Sequence, residues 1–577
     1  MYRTLVTLLL VGLWLPACAQ EASSLEGLWK AHKRFDGYME GPVLLDFESG
    51  AAELAGHRAA IVSKGERFSV EFPEDIGSFH GRRVDEVIKA HWRQPGPMQL
   101  GMPMATPVMF SKLSDGRWSG TMTPMPGQFT FFLPITRDQD GVLRTFMRNP
   151  ERNLGVFMQI ERIEKVGSDL NFIGKFRGSD TEEVLTTGVY NAEFDRFTLE
   201  MPPWRGGVYE FTREDPEGES EYFARPVTAD SWQYQPPTAT DDGWPVGTLD
   251  EARIDEAPIE RMISEEIAAQ LQDVHGLYVH GVLIARGGKL VLEEYFHGFH
   301  RDMPHDTRSA GKSLASVLAG AVIQQGANLS LDTPVYQALG EDLEGLDERK
   351  QAMTLEHLLT MSSGFYCDDN DGDAPGNEDT MQSQETQPDW YRFTLDLPMV
   401  DDPGTNPVYC SAVSNLTGAV ISATTGQPLT ELVQDLVAGP LGIEKYWLDL
   451  QPTGEFYLGG GSYWLPRDYM KLAQLILNGG TWNGQRIISE EWARTSTSES
   501  VRLRDRAYAW QWWVNEYDWH GETVKAYFAA GNGGQIFMGI PAADLVIAFW
   551  GGNYSDRTLY RAQEVLIPKY ILPAVKP

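Results

Sequence analysis

The 577-residue chain carries 81 acidic against 48 basic residues, a formal net charge of -33, and 42% of it is hydrophobic. At about 150 residues per domain this length predicts two to four domains, and the supply of core residues excludes a chain disordered overall. So large a negative charge disfavours nucleic acid and anionic membrane surfaces as partners and reads as a solvated acidic exterior.

Residues 1–20 read as an export signal: Arg3, an apolar run from Leu5 to Leu15, then Pro16-Ala17-Cys18-Ala19-Gln20. The run is too short to span a bilayer. Leu15-Pro16-Ala17-Cys18 is similar to a bacterial lipobox, which makes Cys18 a candidate for lipidation, although the proline departs from that pattern. Cleavage after Ala19 by an ordinary signal peptidase is the alternative. The expected location is the periplasm or a lipid anchor at the bacterial envelope, with membrane contact only through that anchor.

From 21 to 225 short alternating runs such as Arg67-Phe68-Ser69-Val70-Glu71-Phe72 and Gln128-Phe129-Thr130-Phe131-Phe132 are separated by turn signals such as Ser114-Asp115-Gly116. They predict an all-β barrel or sandwich. Residues 226–245, with Gln235-Pro236-Pro237-Thr238 and Asp241-Asp242-Gly243-Trp244-Pro245, predict an extended, exposed linker.

The domain from 246 to 577 opens with a helical pattern, Ile259 to Leu271. A hairpin follows, Tyr278 to Ala285 and Leu290 to Phe296, turned by Arg286-Gly287-Gly288-Lys289. Next, Leu314, Val317, Leu318, Ala321 and Val322 recur at helical spacing until Gly326. Later helical stretches and strands near Lys525 to Ala530 and Gln535 to Phe549 complete a mixed α/β layer pattern.

Ser309-Ala310-Gly311-Lys312 stands where the hairpin gives way to that helix. A lysine three residues after a serine shares its helical face and can take or share the hydroxyl proton. The helix N-terminus favours a developing alkoxide and can donate to an oxyanion. As about one such tetrapeptide match is expected by chance, context carries the assignment. There is no Cys-x-x-Cys and no His-Glu-x-x-His, so no metal or cofactor is expected.

In context the second domain resembles the serine β-lactamase and penicillin-binding-protein superfamily. The segments that carry the resemblance run in order: Glu294-Tyr295-Phe296-His297-Gly298, the Ser309 helix, His357-Leu358-Leu359-Thr360-Met361-Ser362-Ser363-Gly364, and Pro403-Gly404-Thr405. Tyr409-Cys410-Ser411, Leu441-Gly442-Ile443 and Gly531-Asn532-Gly533-Gly534-Gln535 follow. Within the superfamily the likeness is to class C β-lactamases, family VIII carboxylesterases and 6-aminohexanoate-dimer hydrolases. It implies an α/β (α+β) serine hydrolase domain behind the β-rich one.

The resemblance further implies that Tyr409 is the general base or proton relay beside Lys312. Ser411 replaces the asparagine of that second motif at the substrate. The third motif falls on Ala529-Ala530-Gly531, so that the N–H groups of Ser309 and Asn532 form the oxyanion hole; a shift in register hands the second role to Gly533 or Gly534. Gly531, Gly533 and Gly534 would line the substrate site. Two alanines supply neither the charge nor the hydroxyl that binds a β-lactam carboxylate, a loss of about 1.5–3 kcal/mol. An ester, a non-β-lactam amide or a short peptide is the better substrate.

Trp390 is a candidate pocket residue. Export permits a disulfide between Cys367 and Cys410, which would tie the acidic loop Asp368 to Asp379 to the site wall; two buried free thiols are the alternative. Two rival functions remain, a D-amino-acid peptidase or penicillin-binding protein acting on cell-wall peptides, and a non-catalytic lipid- or peptide-binding protein.

Overall fold

A computed structural model describes residues 24–35, 41–84, 86–95, 102–215, 220–226, 232–269, 271, 273–382 and 388–577. The expected export signal and Cys18 lie outside the described residues.

The β-rich region consists of two closed antiparallel barrels, one inserted into the other. Strand Gly27–Arg34 pairs on one side with Gln128–Arg137 and on the other with Val208–Glu214, closing the first barrel. Its remaining strands are Leu143–Arg144, Met158–Val166, Asp169–Phe176, Glu183–Asn191 and Arg196–Glu200. The second barrel occupies the connection between Gly27–Arg34 and Gln128–Arg137. It runs from Pro42–Asp46 to Trp118–Thr121, whose pairing with both Pro42–Asp46 and Met104–Lys112 closes the ring. In Arg67–Glu71 the side chains alternate as the pleat requires, Phe68 and Val70 inward, Arg67 and Glu71 outward. Both interiors are filled: Trp29, Phe131, Phe172, Phe197 and Phe211 in the first, Val43, Phe68, Val70, Phe79 and Trp118 in the second. Eight strands leave just the width that such side chains fill.

The C-terminal domain is built on an eight-stranded antiparallel sheet in the order Lys289–Tyr295, Val279–Arg286, Leu545–Gly551, Gln535–Ile540, Glu522–Gly531, Trp513–Trp519, Arg506–Tyr508, Val501–Leu503. Period-2 alternation splits its apolar side chains between two cores. Leu283, Ala285, Val546, Ala548 and Trp550 face the helices Lys312–Gln324 and Ser411–Thr425. Val282, Ile284, Leu545, Ile547 and Phe549 face Ile259, Ile263 and Leu566 of the terminal helices. The hairpin turn uses Gly287 and Gly288 at φ +60° and +72°, the left-handed pair a two-residue turn requires.

Residues 232–245 are extended but docked rather than loose. Trp232 and Trp244 are buried, and Arg467 donates to the Thr238 carbonyl and Thr240 hydroxyl and pairs with Asp242. Most of the stretch is exposed, as expected; what the expectation lacked is this anchoring, because it weighed proline and glycine above the two tryptophans.

The barrels are joined to the C-terminal domain by backbone as well as side chains. Strand Met104–Lys112 pairs with Tyr446–Asp449, that with Ser462–Trp464, and that with His305–Asp306. A continuous sheet therefore runs from the second barrel to three residues before Ser309. Arg67 pairs with Glu431, and Arg82 and Lys89 with Asp435, setting a basic barrel edge on an acidic helix.

Candidate active site

Ser309 lies in a single 3-10 turn, Arg308–Gly311, that feeds the helix Lys312–Gln324. Arg308 has φ +49°. A non-glycine residue there costs about 1 kcal/mol and persists only where its surroundings hold it. Here two glycine backbones do so. A Cβ on Gly460 would lie 2.9 Å from the Arg308 carbonyl oxygen and 3.0 Å from Ser309 Cα, and one on Gly531 only 2.2 Å from the Thr307 carbonyl oxygen.

Lys312, 1% exposed, donates from Nζ to Ser309 Oγ at 3.1 Å and to the Gly459 carbonyl. The ammonium sits 5.0 Å from the centre of the Tyr409 ring, and the Tyr409 phenol is near enough to Lys312 and Ser309 that both oppose the effect of burial on it. The three residues named from sequence as nucleophile, lysine and tyrosine thus converge. The Tyr409 ring stacks on Trp513, centroids 5.7 Å apart, which fixes its plane.

Burial opposes a charge on Lys312, but the Tyr409 oxygen, Glu378 and Asp369 outweigh it and hold the lysine above its ordinary pKa. Burial pushes Tyr409 up, while Lys312 and the Ser309 hydroxyl pull it back. The net direction is upward for both, so each keeps its proton at rest, and the Ser309 hydroxyl, which accepts from Lys312, can pass its own proton to Tyr409 only once the pair has lost one.

Behind this trio lies a carboxyl pair that sequence reasoning did not single out. Asp369 Oδ2 accepts from the Ser411 backbone N–H at 2.8 Å and from its hydroxyl at 2.7 Å. Burial, then the neighbouring Glu378, raise Asp369 to about 6. Glu378 in turn accepts from the Tyr457 hydroxyl at 2.5 Å. Ser411 is thus fully buried and committed to Asp369, and its side chain does not face open space. Trp390 is likewise in the core, edge-on to Tyr457.

Cys367 and Cys410 form a disulfide, Cα atoms 5.7 Å apart, which ties Asp369 and Tyr409 to one anchor. Among the described residues Cys367, Asp369 and Cys410 bring ligand atoms within 4.8 Å of one another, but with the sulfurs bonded together they offer no thiolate to a metal.

On the far side, Gly531 ends its strand against the Thr307–Ala310 turn that carries Ser309, and Asn532 follows it. The Asn532 side chain is held by Ser555, accepting from its N–H at 2.6 Å and donating to its hydroxyl at 3.3 Å. Gly533 and Gly534, at φ +101° and +96°, form the tight turn packed on Tyr554 and Leu559. Ala529 is buried in the core and Ala530 is half-buried, so neither a cation nor a hydroxyl stands at the third-motif positions. Gly459-Gly460-Gly461 was a legible signal left unused, a three-glycine run that marks close backbone approach.

A serine–lysine–tyrosine cluster, its lysine buried and its serine and tyrosine half-buried, between an antiparallel sheet and an all-helical face defines a class of proteins. The chain belongs to the Beta-lactamase family, whose model matches residues 264–556. It is similar to a protein named 6-aminohexanoate-dimer hydrolase from Paenarthrobacter ureafaciens, 24% identical over 323 residues, 50% of this chain and 79% of that protein. It is also similar to Esterase EstB of Burkholderia gladioli, 31% identical over 172 residues, 28% of this chain and 43% of that protein. Among solved structures a family VIII carboxylesterase matches with TM-score 0.44 and 16% identity, over 57% of this chain and 98% of that chain.

Proposed function

We propose that the protein is a serine hydrolase that cleaves an ester or a non-β-lactam amide through an acyl-enzyme on Ser309. The observation that carries this reading is the contact of Ser309 Oγ with Lys312 Nζ at 3.1 Å, with the Tyr409 ring centred 5.0 Å from the same ammonium. A binding protein has no need of all three groups in one partly accessible cluster.

In the first step, starting from the form in which the Tyr409–Lys312 pair has lost one proton, Ser309 Oγ bonds to the substrate carbonyl carbon and its proton passes to that pair. The N–H groups of Ser309 and Asn532 hold the carbonyl oxygen as it gains charge. The carbonyl–heteroatom bond then breaks, and Tyr409 returns the proton to the departing alcohol or amine. Water attacks the acyl-enzyme by the reverse proton route, freeing the acid and Ser309. Ala529 and Ala530 supply no partner for a β-lactam carboxylate, which supports esters or simple amides over penicillins. The names of the two relatives, a dimer hydrolase and an esterase, support the same choice. The Cys367–Cys410 disulfide suits an oxidising compartment and so supports export.

The test is turnover of p-nitrophenyl esters of increasing acyl length and of nitrocefin. Ester cleavage that exceeds nitrocefin cleavage supports the reading; efficient nitrocefin hydrolysis with no ester cleavage contradicts it.

A further inference from the structure

We propose that Arg152, a residue of the first barrel, positions the Ser309 turn of the C-terminal domain, so that the barrel is part of the catalytic unit rather than an appendage. This rests on Ser309 being the nucleophile.

Arg152 stands on a tight loop between Leu143–Arg144 and Met158–Val166. Asn149 Oδ1 accepts from the Arg152 N–H at 3.0 Å, and the Asn153 side chain reaches across to the Tyr554 carbonyl at 3.3 Å. The loop thus holds its place against the C-terminal domain independently of the guanidinium. From there Arg152 spends both ends of its fork on that domain: Nη1 donates to Asp306 Oδ2 at 2.8 Å and Nη2 to the Tyr463 hydroxyl.

Asp306 passes the constraint on. Its Oδ1 accepts from the Arg308 backbone N–H at 2.9 Å, and its Oδ2 faces Arg308 Nε at 3.0 Å. One carboxylate therefore grips both backbone and side chain of the residue at φ +49° that immediately precedes Ser309. Asp306 is 6% exposed, Arg152 side chain only 13%, and the other carboxyl near Asp306 is the buried Asp449, which repels it. Without Arg152 the buried Asp306 keeps one cationic partner, Arg308, which is the very group it must hold still. A fork that meets a carboxylate and a hydroxyl at once is arginine geometry that lysine does not reproduce.

Displacing a reacting group by about 1 Å costs about a hundredfold in rate. The full-length chain is therefore compared as wild type, Arg152→Met and Arg152→Lys, reading kcat and KM on a p-nitrophenyl ester, the rate of fluorophosphonate labelling with the labelled residue identified by mass spectrometry, and thermal unfolding. R152M is expected to lose about a hundredfold in kcat and labelling rate with KM nearly unchanged, and to recover part of it in added guanidinium. R152K is expected to lose about tenfold and to gain nothing from guanidinium. A folded R152M that labels at the wild-type rate overturns the proposal. Should R152M fail to fold, a folded R152K with wild-type kcat overturns it equally. Wild type that is not labelled at Ser309 overturns the serine reading itself, and the positioning role with it.

Discussion

Lys312 Nζ lies 3.1 Å from Ser309 Oγ and donates at the same time to the Gly459 carbonyl. The lysine is therefore fixed by backbone on one side and offers the nucleophile a hydrogen bond on the other. Replacing it by methionine keeps the volume of the stem and removes the cation that lowers Tyr409. Lys312→Met is expected to lower kcat for ester hydrolysis by at least about a hundredfold, the scale of a general acid–base contribution, with thermal unfolding little changed. Steady-state kinetics checks this, and wild-type kcat in the variant contradicts it.

The pH profile follows from the charges behind the pair. The active form has lost one proton from the Lys312–Tyr409 pair, so kcat/KM rises with pH through the pair's apparent pKa. Negative charge on Asp369 favours the protonated pair, since it raises both members. Asp369→Asn removes that charge while leaving an oxygen to accept from Ser411, and the rising limb is expected to move to lower pH. A move to higher pH contradicts this electrostatic account.

Asp449 gives a stability prediction with a definite sign. Burial and the nearby Asp306 raise its carboxyl from 3.8 to about 7, and its Oδ1 has no hydrogen-bond partner among the described residues. The folded state holds this proton more tightly than the unfolded one, so the group costs stability increasingly as pH rises from 4 through 7. Asp449→Asn is expected to stabilise the protein at pH 8 by as much as about 4 kcal/mol, an advantage that fades toward pH 4. Denaturant unfolding at both pH values measures it; a gain confined to low pH has the wrong sign.

The disulfide closes a separation of 43 residues. Chain-entropy reasoning gives such a loop about 4 kcal/mol, of which real proteins deliver roughly 2–4. Reduction, or replacement of both cysteines by serine, is expected to lower stability by that amount. It should also slow labelling of Ser309, because Asp369 and Tyr409 each lie within two residues of a bridged cysteine. Unchanged labelling after verified reduction separates the bridge from the site.

What could be read from sequence was what is local. The Ser309 helix shows in the spacing of Leu314, Val317, Leu318, Ala321 and Val322, the hairpin in its two glycines, and both appear where the pattern put them. The family resemblance brought Tyr409 to Ser309 across 100 residues, which periodicity alone does not. The nesting of the barrels was hidden because strands of both alternate alike. Nothing in Gly27–Arg34 says that its partner is Gln128–Arg137 rather than Pro42–Asp46. Asp369 was lost in a run of acidic residues that reads as a solvated loop, and its partnership with Ser411 depends on the fold of both segments. Arg152 is one arginine among many until the barrel sets it against Asp306.

The central claim is that Ser309 forms the acyl-enzyme. The most direct measurement is mass spectrometry of the intact and digested protein after exposure to a fluorophosphonate and, separately, to a slowly deacylating ester, in wild type and Ser309→Ala. The account predicts one adduct per chain on the Ser309 peptide and none in the folded variant, with ester turnover lost alongside. An adduct on another residue, or ester turnover that persists in Ser309→Ala, would contradict it.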